Sequence, residues 1–359
     1  MVKSSSTAVF IRTYRGRREE NRLGESLAVG DLNGDSTPDL IIGGDNEDLV
    51  THNKRTTTFL KVGRVYMILG DRVFQNHSAT GEIVLTTRTA DLVLSGKEEF
   101  DLFGDNLLVA RWNPEDSIDD LWVSAPGAEP TPSPDPQVND DRGVVALYPG
   151  STSSFCFPED ATTALLCFSG NWRAPGYRAP DLLSLLEGNL SFGDGLPGSA
   201  TNEFHYPARA SNALVGIQKG AQFGGAMAVG DVLPQADLDE LVIGSSFLTT
   251  GMVSVVTHAD IAWATPGTPR ELDKNPESLR ILGELMTDRF GFRVGSADLF
   301  ADEGDEIIVT APLGGGLSGA AEGVVYIFNA NTLLNASANR ASTSKDRHLG
   351  GHSPLNGGP

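Results

Sequence analysis

"RLGESLAVGDLNGDSTPDLIIGG", residues 22–44, has the order Leu-Gly, a short apolar strand, an acidic turn, and a second apolar strand. The same order recurs in "LFGDNLLVARWNPEDSIDDLWVSAPG" (102–127), "QFGGAMAVGDVLPQADLDELVIGSS" (222–246) and "RFGFRVGSADLFADEGDEIIVTAPLG" (289–314). Each copy is followed by a third strand opening on Gly: "GRVYMILG", "RGVVALYPG", "GMVSVV" and "GVVYIF". A short fourth strand ending in Gly precedes the next copy, as in "DLVLSG" (91–96), "SNALVG" (211–216) and "SLRILG" (278–283).

Four short strands per unit, repeated every several tens of residues, predict an all-β fold of β-propeller blades. The units resemble the FG-GAP repeat, the blade of the integrin α-subunit N-terminal propeller and of the C-terminal propeller of glycosylphosphatidylinositol-specific phospholipase D. Phe103-Gly104, Phe223-Gly224 and Phe290-Gly291 supply the FG, and Ala125-Pro126 and Ala311-Pro312 the end of GAP. Departures are Leu23-Gly24 in the first unit, "IGGD" and "IGSS" in place of GAP, and Ser124 or Thr310 in place of its Gly. A Gly after Phe lets a strand enter a crowded axis while the ring fills the wedge between blades, so the three phenylalanines are expected in the core.

The expected organisation is one propeller over 1–335, with blades at about 17–96, 101–170, 221–283 and 288–330. The gap from Gly104 to Gly224 is twice a normal blade, and is filled by either an insertion or a degenerate blade at 171–216. "LLCFSG" (165–170) resembles a fourth strand and favours the degenerate blade. The strand "TAVFIRTYRG" (7–16) is expected to pair into the last blade and close the ring; the alternative is that the chain is a fragment of a longer protein. Residues 125–141 read as an extended proline-rich loop and 336–359 as a disordered tail.

Asp31, Asn33, Asp35, Thr37 and Asp39 stand at positions 1, 3, 5, 7 and 9 of the first turn. Oxygen groups at alternating positions of a tight loop converge on one centre and suit Ca²⁺, with Thr37 giving its backbone carbonyl. An EF-hand is excluded, because position 12 is Ile42 and strands flank the loop. The alternative is an Asx-rich turn without metal. The fourth loop offers Asp298, Asp302 and Glu306, with Phe300 at position 3. The third offers Asp231, Asp237 and Asp239, with Glu240 beside them, over a loop one residue longer. The second keeps Asn113, Asp116 and Asp120 but begins with Arg111, a cation where the metal belongs, so no calcium is expected there. The expected role of calcium is structural: it removes the repulsion among carboxylates crowded into one turn.

Forty-seven acidic against 27 basic residues give a charge of −20, which repels nucleic acid and anionic membranes. No window has the roughly 18–20 apolar residues of a membrane span. The start, "MVKSSSTAVFIRTYRG", lacks the apolar core of a signal peptide. Cys156 and Cys167 are either one disulfide closing a hairpin or two buried thiols. Sequons at Asn76, Asn189 and Asn335 are no more than chance supplies.

Six scattered histidines form no metal motif, and no nucleophile elbow, P-loop or dinucleotide fingerprint occurs. The chain therefore reads as non-catalytic. The resemblance implies an extracellular or cell-surface protein-interaction module, with extracellular matrix or a membrane receptor subunit as partner. Its segments 45–62, 126–141 and 171–210 would vary the binding face. The rival implication is the propeller portion of a phospholipase D-like hydrolase whose catalytic domain lies outside this chain.

Overall fold

The computed structural model describes residues 13–52, 56–70, 82–86, 89–96, 99–114, 116–128, 141–148, 150, 154–158, 165–169, 203–205, 213–233, 238–247, 250–258, 261, 270–272, 279–285, 287–300, 304–315 and 321–329. Its elements are β-strands, and its sheets are those of β-propeller blades. By contacts the chain divides into two compact units, 1–123 with 147–208 and 124–146 with 209–359.

In the first blade, β2 (Ser26–Gly30), β3 (Asp39–Gly44), β6 (Arg64–Ile68) and β8 (Leu92–Ser95) run antiparallel in chain order, and β14 (Glu203–His205) adds a parallel edge to β8. The second comprises β9 (Leu107–Ala110), β10 (Asp120–Ala125), β11 (Val144–Tyr148) and β15 (Ala213–Val215), with β19 (Arg270–Glu271) parallel to β15. The third is β16 (Ala226–Gly230), β17 (Glu240–Ser245), β18 (Met252–Val256) and β20 (Leu279–Leu282). The fourth is a three-stranded sheet of β21 (Arg293–Ala297), β22 (Glu306–Ala311) and β23 (Val324–Phe328).

Between the second and third strands of the first blade, β4 (Leu49–His52) and β5 (Thr56–Phe59) form a hairpin of their own. A second separate hairpin joins β12 (Ser154–Pro158) to β13 (Leu165–Ser169).

Two sequence expectations are corrected. "LLCFSG" is not the fourth strand of the second blade: Leu165–Ser169 pairs with Ser154–Pro158, and Ala213–Val215 pairs with β11. The described parts of the expected degenerate blade at 171–216, β14 and β15, join two different sheets, and residues 171–202 and 206–212 of that segment lie outside the described residues. The first strand also differs. Its described part, β1 (Thr13–Arg15), lies parallel to β7 (Glu82–Val84) within the first unit, not on β23. An ion pair from Arg15 Nε to Glu82 (3.0 Å) and the Leu85 N–H donated to the Arg15 carbonyl (2.8 Å) hold it there. The tail 336–359 and residues 129–140 of the proline-rich loop lie outside the described residues.

Phe103, Phe223 and Phe290 are buried as expected. Each sits against the glycine that opens the preceding blade's third strand: Gly63, Gly143 and Gly251, with φ of 81°, 82° and 82°. A Cβ on any of the three would collide with the phenylalanine backbone, and L-residues avoid this φ in any case. The joint also carries hydrogen bonds, from Phe103 N–H to the Val62 carbonyl and Phe223 N–H to the Arg142 carbonyl, each 3.1 Å.

Gly63→Ala should therefore lower the unfolding midpoint by an amount comparable to a core cavity mutant, on the order of 2–4 kcal/mol. Gly295→Ala, where an added Cβ meets nothing within 4 Å, should be neutral or slightly stabilising. Denaturant unfolding of the two variants checks the contrast, and equal losses would reject the joint as described.

Candidate functional site: the acidic turns

The first turn is wound by its own side chains. Asp31 accepts from the N–H groups of Asp35 (3.0 Å) and Ser36 (2.7 Å). Asn33 Oδ1 accepts from Asp35 N–H (2.9 Å), and its Nδ2 donates to Asp35 Oδ2 (2.9 Å). Asp35 Oδ1 accepts from Thr37 N–H (2.8 Å). Left-handed φ at Gly34 (68°) and Ser36 (66°) gives the turn its curl. These are the Asx-turn bonds that aspartate and asparagine offer to nearby amides.

Asp39 closes the turn from the start of β3. Fully buried, it takes Leu32 N–H on Oδ2 (3.2 Å) and Gly70 N–H on Oδ1 (3.0 Å). Burial pushes its carboxyl up to about 7; the two backbone bonds oppose the shift, and the charges of Asp35 and Asp31 add to it.

The same closing acid appears in every blade. Asp120 accepts from Trp112 and Asn113 N–H (both 2.9 Å) and Gly150 N–H (3.0 Å). Glu240 accepts from Leu233 N–H and Glu306 from Leu299 N–H, each at 2.9 Å. All four are essentially inaccessible. The role persists in the second blade, where Arg111 occupies the first position of the turn. Asp39 and Glu306, read from sequence as ligands, have this structural role in addition.

Strand register settles the third loop. Gly230 pairs with Glu240 as Gly30 pairs with Asp39, so Glu240 closes the turn and Asp239 is exposed. Asp231 is half-buried, and Asp237 lies outside the described residues, as does Asp302 of the fourth loop. Burial raises the Glu240 carboxyl to about 8, and its Oε1 is buried without a hydrogen-bond partner.

Asp119 and Asp305, one residue before the closing acid, tie adjacent turns together. Asp119 Oδ2 accepts from Asp31 N–H (2.9 Å), its own N–H reaches the Asp31 carbonyl (3.1 Å), and Asp305 N–H reaches the Asp231 carbonyl (2.6 Å). Burial raises the pKa of Asp231 and Asp305, with Asp239 nearby adding to both. Sequence alone assigns such acids to the metal turns, because composition does not distinguish an acid facing a cation from one facing an amide.

The donor chemistry of Asp31, Asn33, Asp35 and Asp39 fits a hard cation: three carboxylates and an amide oxygen curl within nine residues. The arrangement is self-bonded rather than open, and no group of three or more Asp, Glu, His or Cys among the described residues is spaced to hold a metal ion.

The other expected sites are only partly placed. Cys156 and Cys167 stand directly opposite each other in the β12–β13 pair, a register whose typical Cα separation allows a disulfide. Asn76, Asn189 and Asn335 lie outside the described residues. Among those residues no helix is long and apolar enough to cross a membrane.

Residues 23–66 match the FG-GAP repeat. Over 347 residues the chain is 26% identical to phosphatidylinositol-glycan-specific phospholipase D of Bos taurus, covering 88% of this chain and 38% of the relative. Over 149 residues it is 26% identical to integrin alpha-8 of Gallus gallus, covering 42% of this chain and 12% of the relative. The chain thus spans well under half the length of either. The FG-GAP resemblance read from Phe-Gly and Ala-Pro is shown by these matches.

Buried Glu240 gives a pH test. Its folded pKa of about 8 lies above the ordinary 4.5, so the folded state binds its proton more tightly than the unfolded chain. Its contribution is greatest below about pH 4.5 and is lost as pH rises to about 8. In calcium-free buffer Glu240→Gln should flatten this part of the stability profile, measured by denaturant midpoints from pH 5 to 8. An unchanged profile would refute the assignment.

Proposed function

We propose that the chain is a non-catalytic, calcium-binding FG-GAP propeller that acts as a protein-interaction module outside the cell or at its surface. One observation carries this reading: the chain aligns at the same 26% identity with a phospholipase and with an integrin α subunit. A stretch similar to proteins with such different names supports a common scaffold over a common chemistry.

Calcium in the first turn would be held by Asp31, Asn33, Asp35, the Thr37 carbonyl and Asp39. It would offset the carboxylate repulsion that helps raise Asp39. Asp298, Asp302 and Glu306 make a second, incomplete set, and Asp231, Asp237 and Asp239 a weaker third. The β4–β5 hairpin supports a binding role for 45–62, because it stands outside the sheet of its blade and is free to vary without disturbing it. A Cys156–Cys167 disulfide fits an oxidising compartment.

The second reading, a propeller portion of a phospholipase D-like enzyme, is favoured by the 88% coverage of this chain by that alignment. Activity assays on the purified chain separate the two. The module reading expects no phosphodiester turnover, and turnover abolished by mutating the chain's own residues would overturn it.

Calcium should raise the melting temperature, and Asp35→Ala should weaken that response more than Asp302→Ala does. A melting temperature that chelator leaves unchanged would remove calcium from the proposal. Replacing residues 49–59 by a short Gly-Ser turn should reduce recovery of partners from extracellular-matrix extract. Equal recovery would exclude the hairpin as a contact. Non-reducing peptide mapping should find Cys156 joined to Cys167; two alkylatable thiols would refute the disulfide.

A further inference from the structure

Asn33-Gly34, in the first acidic turn, is one of two Asn-Gly pairs in the chain; the other, Asn356-Gly357, lies outside the described residues. An asparagine followed by glycine has a nucleophile beside its own side-chain amide. The Gly34 nitrogen, with no Cβ on its residue to crowd the approach, can close a five-membered ring on Asn33 Cγ. The second turn gives the contrast. Asn113 is likewise the third residue past its inner strand, but Pro114 follows it, and a proline nitrogen has no proton to give up. The third and fourth turns have Leu233 and Phe300 at this place.

In the closed turn the ring is held off. Both polar atoms of the Asn33 side chain are committed to Asp35: Oδ1 accepts its N–H and Nδ2 donates to its Oδ2, each at 2.9 Å. Attack makes Cγ tetrahedral and moves both atoms, so the two bonds resist it. The left-handed φ of Gly34 (68°) belongs to the curl in which these bonds are made. Asn33 is also fully buried, which keeps out the base that must take the Gly34 proton and the water that must open the ring.

We propose that Asn33 is a modification site gated by this turn: it converts to aspartate and isoaspartate when the turn opens, and neither product restores the closed winding. In the first step the Gly34 nitrogen bonds to Cγ and the Cγ–Nδ2 bond breaks. Nδ2 leaves as ammonia, carrying the Gly34 proton. Water then adds to either carbonyl of the cyclic imide, and the carbon–nitrogen bond there breaks. Opening at Cγ gives aspartate; opening at the main-chain carbonyl gives isoaspartate, with the chain routed through Cβ and Cγ. Water is the sole co-reactant.

Each product disturbs the turn in its own way. Aspartate puts an oxygen where Nδ2 now donates, so the bond to the Asp35 carboxylate becomes a repulsion in a turn that already holds Asp31, Asp35 and Asp39. Isoaspartate adds one main-chain carbon before Gly34, which moves the Asp35 and Ser36 amides off the Asp31 carboxylate. The rate of conversion follows the fraction of time the turn is open, so the modified chain is a one-way record of local opening.

Mass spectrometry of peptides from the full chain tests this, with chelator present throughout so that the outcome is independent of the calcium reading. At mildly alkaline pH, the chain unfolded in urea should convert Asn33 while Asn113 in the same sample stays intact. The folded chain should convert Asn33 at least about tenfold more slowly, as for a turn open about a tenth of the time or less. Asn33→Asp should unfold at a lower denaturant concentration than the wild type. Equal rates in folded and unfolded chain, an unfolded chain that keeps Asn33, conversion of Asn113 as fast as Asn33, or an Asn33→Asp variant as stable as the wild type would each overturn the proposal.

Discussion

Everything repeated in this chain depends on one contact: an aromatic-glycine pair pressed against a left-handed glycine of the preceding blade. Gly63, Gly143 and Gly251 have no room for a Cβ because a phenylalanine backbone occupies it, and the ring behind that backbone fills the core. The glycine after the phenylalanine is constrained separately: a Cβ on Gly104 would meet Val65 and the Arg64 carbonyl of the same third strand, so the joint fixes a glycine on each side. The strands between are interchangeable apolar runs, whereas the glycines are not.

The acidic turns obey a second and looser constraint. A buried carboxylate at the head of each second strand takes the amide seven residues earlier: Asp39 with Leu32, Asp120 with Asn113, Glu240 with Leu233, Glu306 with Leu299. Buried backbone amides need acceptors, and this acid supplies one where the chain leaves the sheet. Cation binding, where it occurs, is an added use of a turn already held by its own hydrogen bonds.

The strand grammar was legible in the sequence because glycine, Phe-Gly and short Val/Ile-rich runs report local backbone demands. Pairings across long gaps were not. Ala213–Val215 completes a sheet whose third strand ends at Tyr148, and no local signal distinguishes it from the strand-like Leu165–Ser169. Thr13–Arg15 has the residues of a strand but carries no mark of its neighbour, and an ion pair to Glu82 accompanies its place beside β7. In the turns, residue type identified the acids but not their partners. Asp119 and Asp120 are adjacent and chemically identical, yet one bonds to the neighbouring blade and the other closes its own turn. The shift from Asp239 to Glu240 was recoverable by aligning "ELVIG" with "DLIIG", since the closing acid immediately precedes the apolar run.

The closing acid also makes each turn a tolerant graft point. Seven positions separate the pinned amide from the closing acid in all four turns, and the variation in length falls ahead of that bond. The ten-residue step from Gly230 to Glu240 exceeds the nine-residue step from Gly30 to Asp39 by one residue that precedes Leu233, with the same strand pairing on either side. Loop closure entropy grows only slowly with length, so a longer peptide spliced ahead of the pinned amide, between Gly30 and Leu32, costs little in folding free energy. The blade can thus serve as a display scaffold, with peptides exchanged at the turn while the closing acid and the glycine joints keep their places.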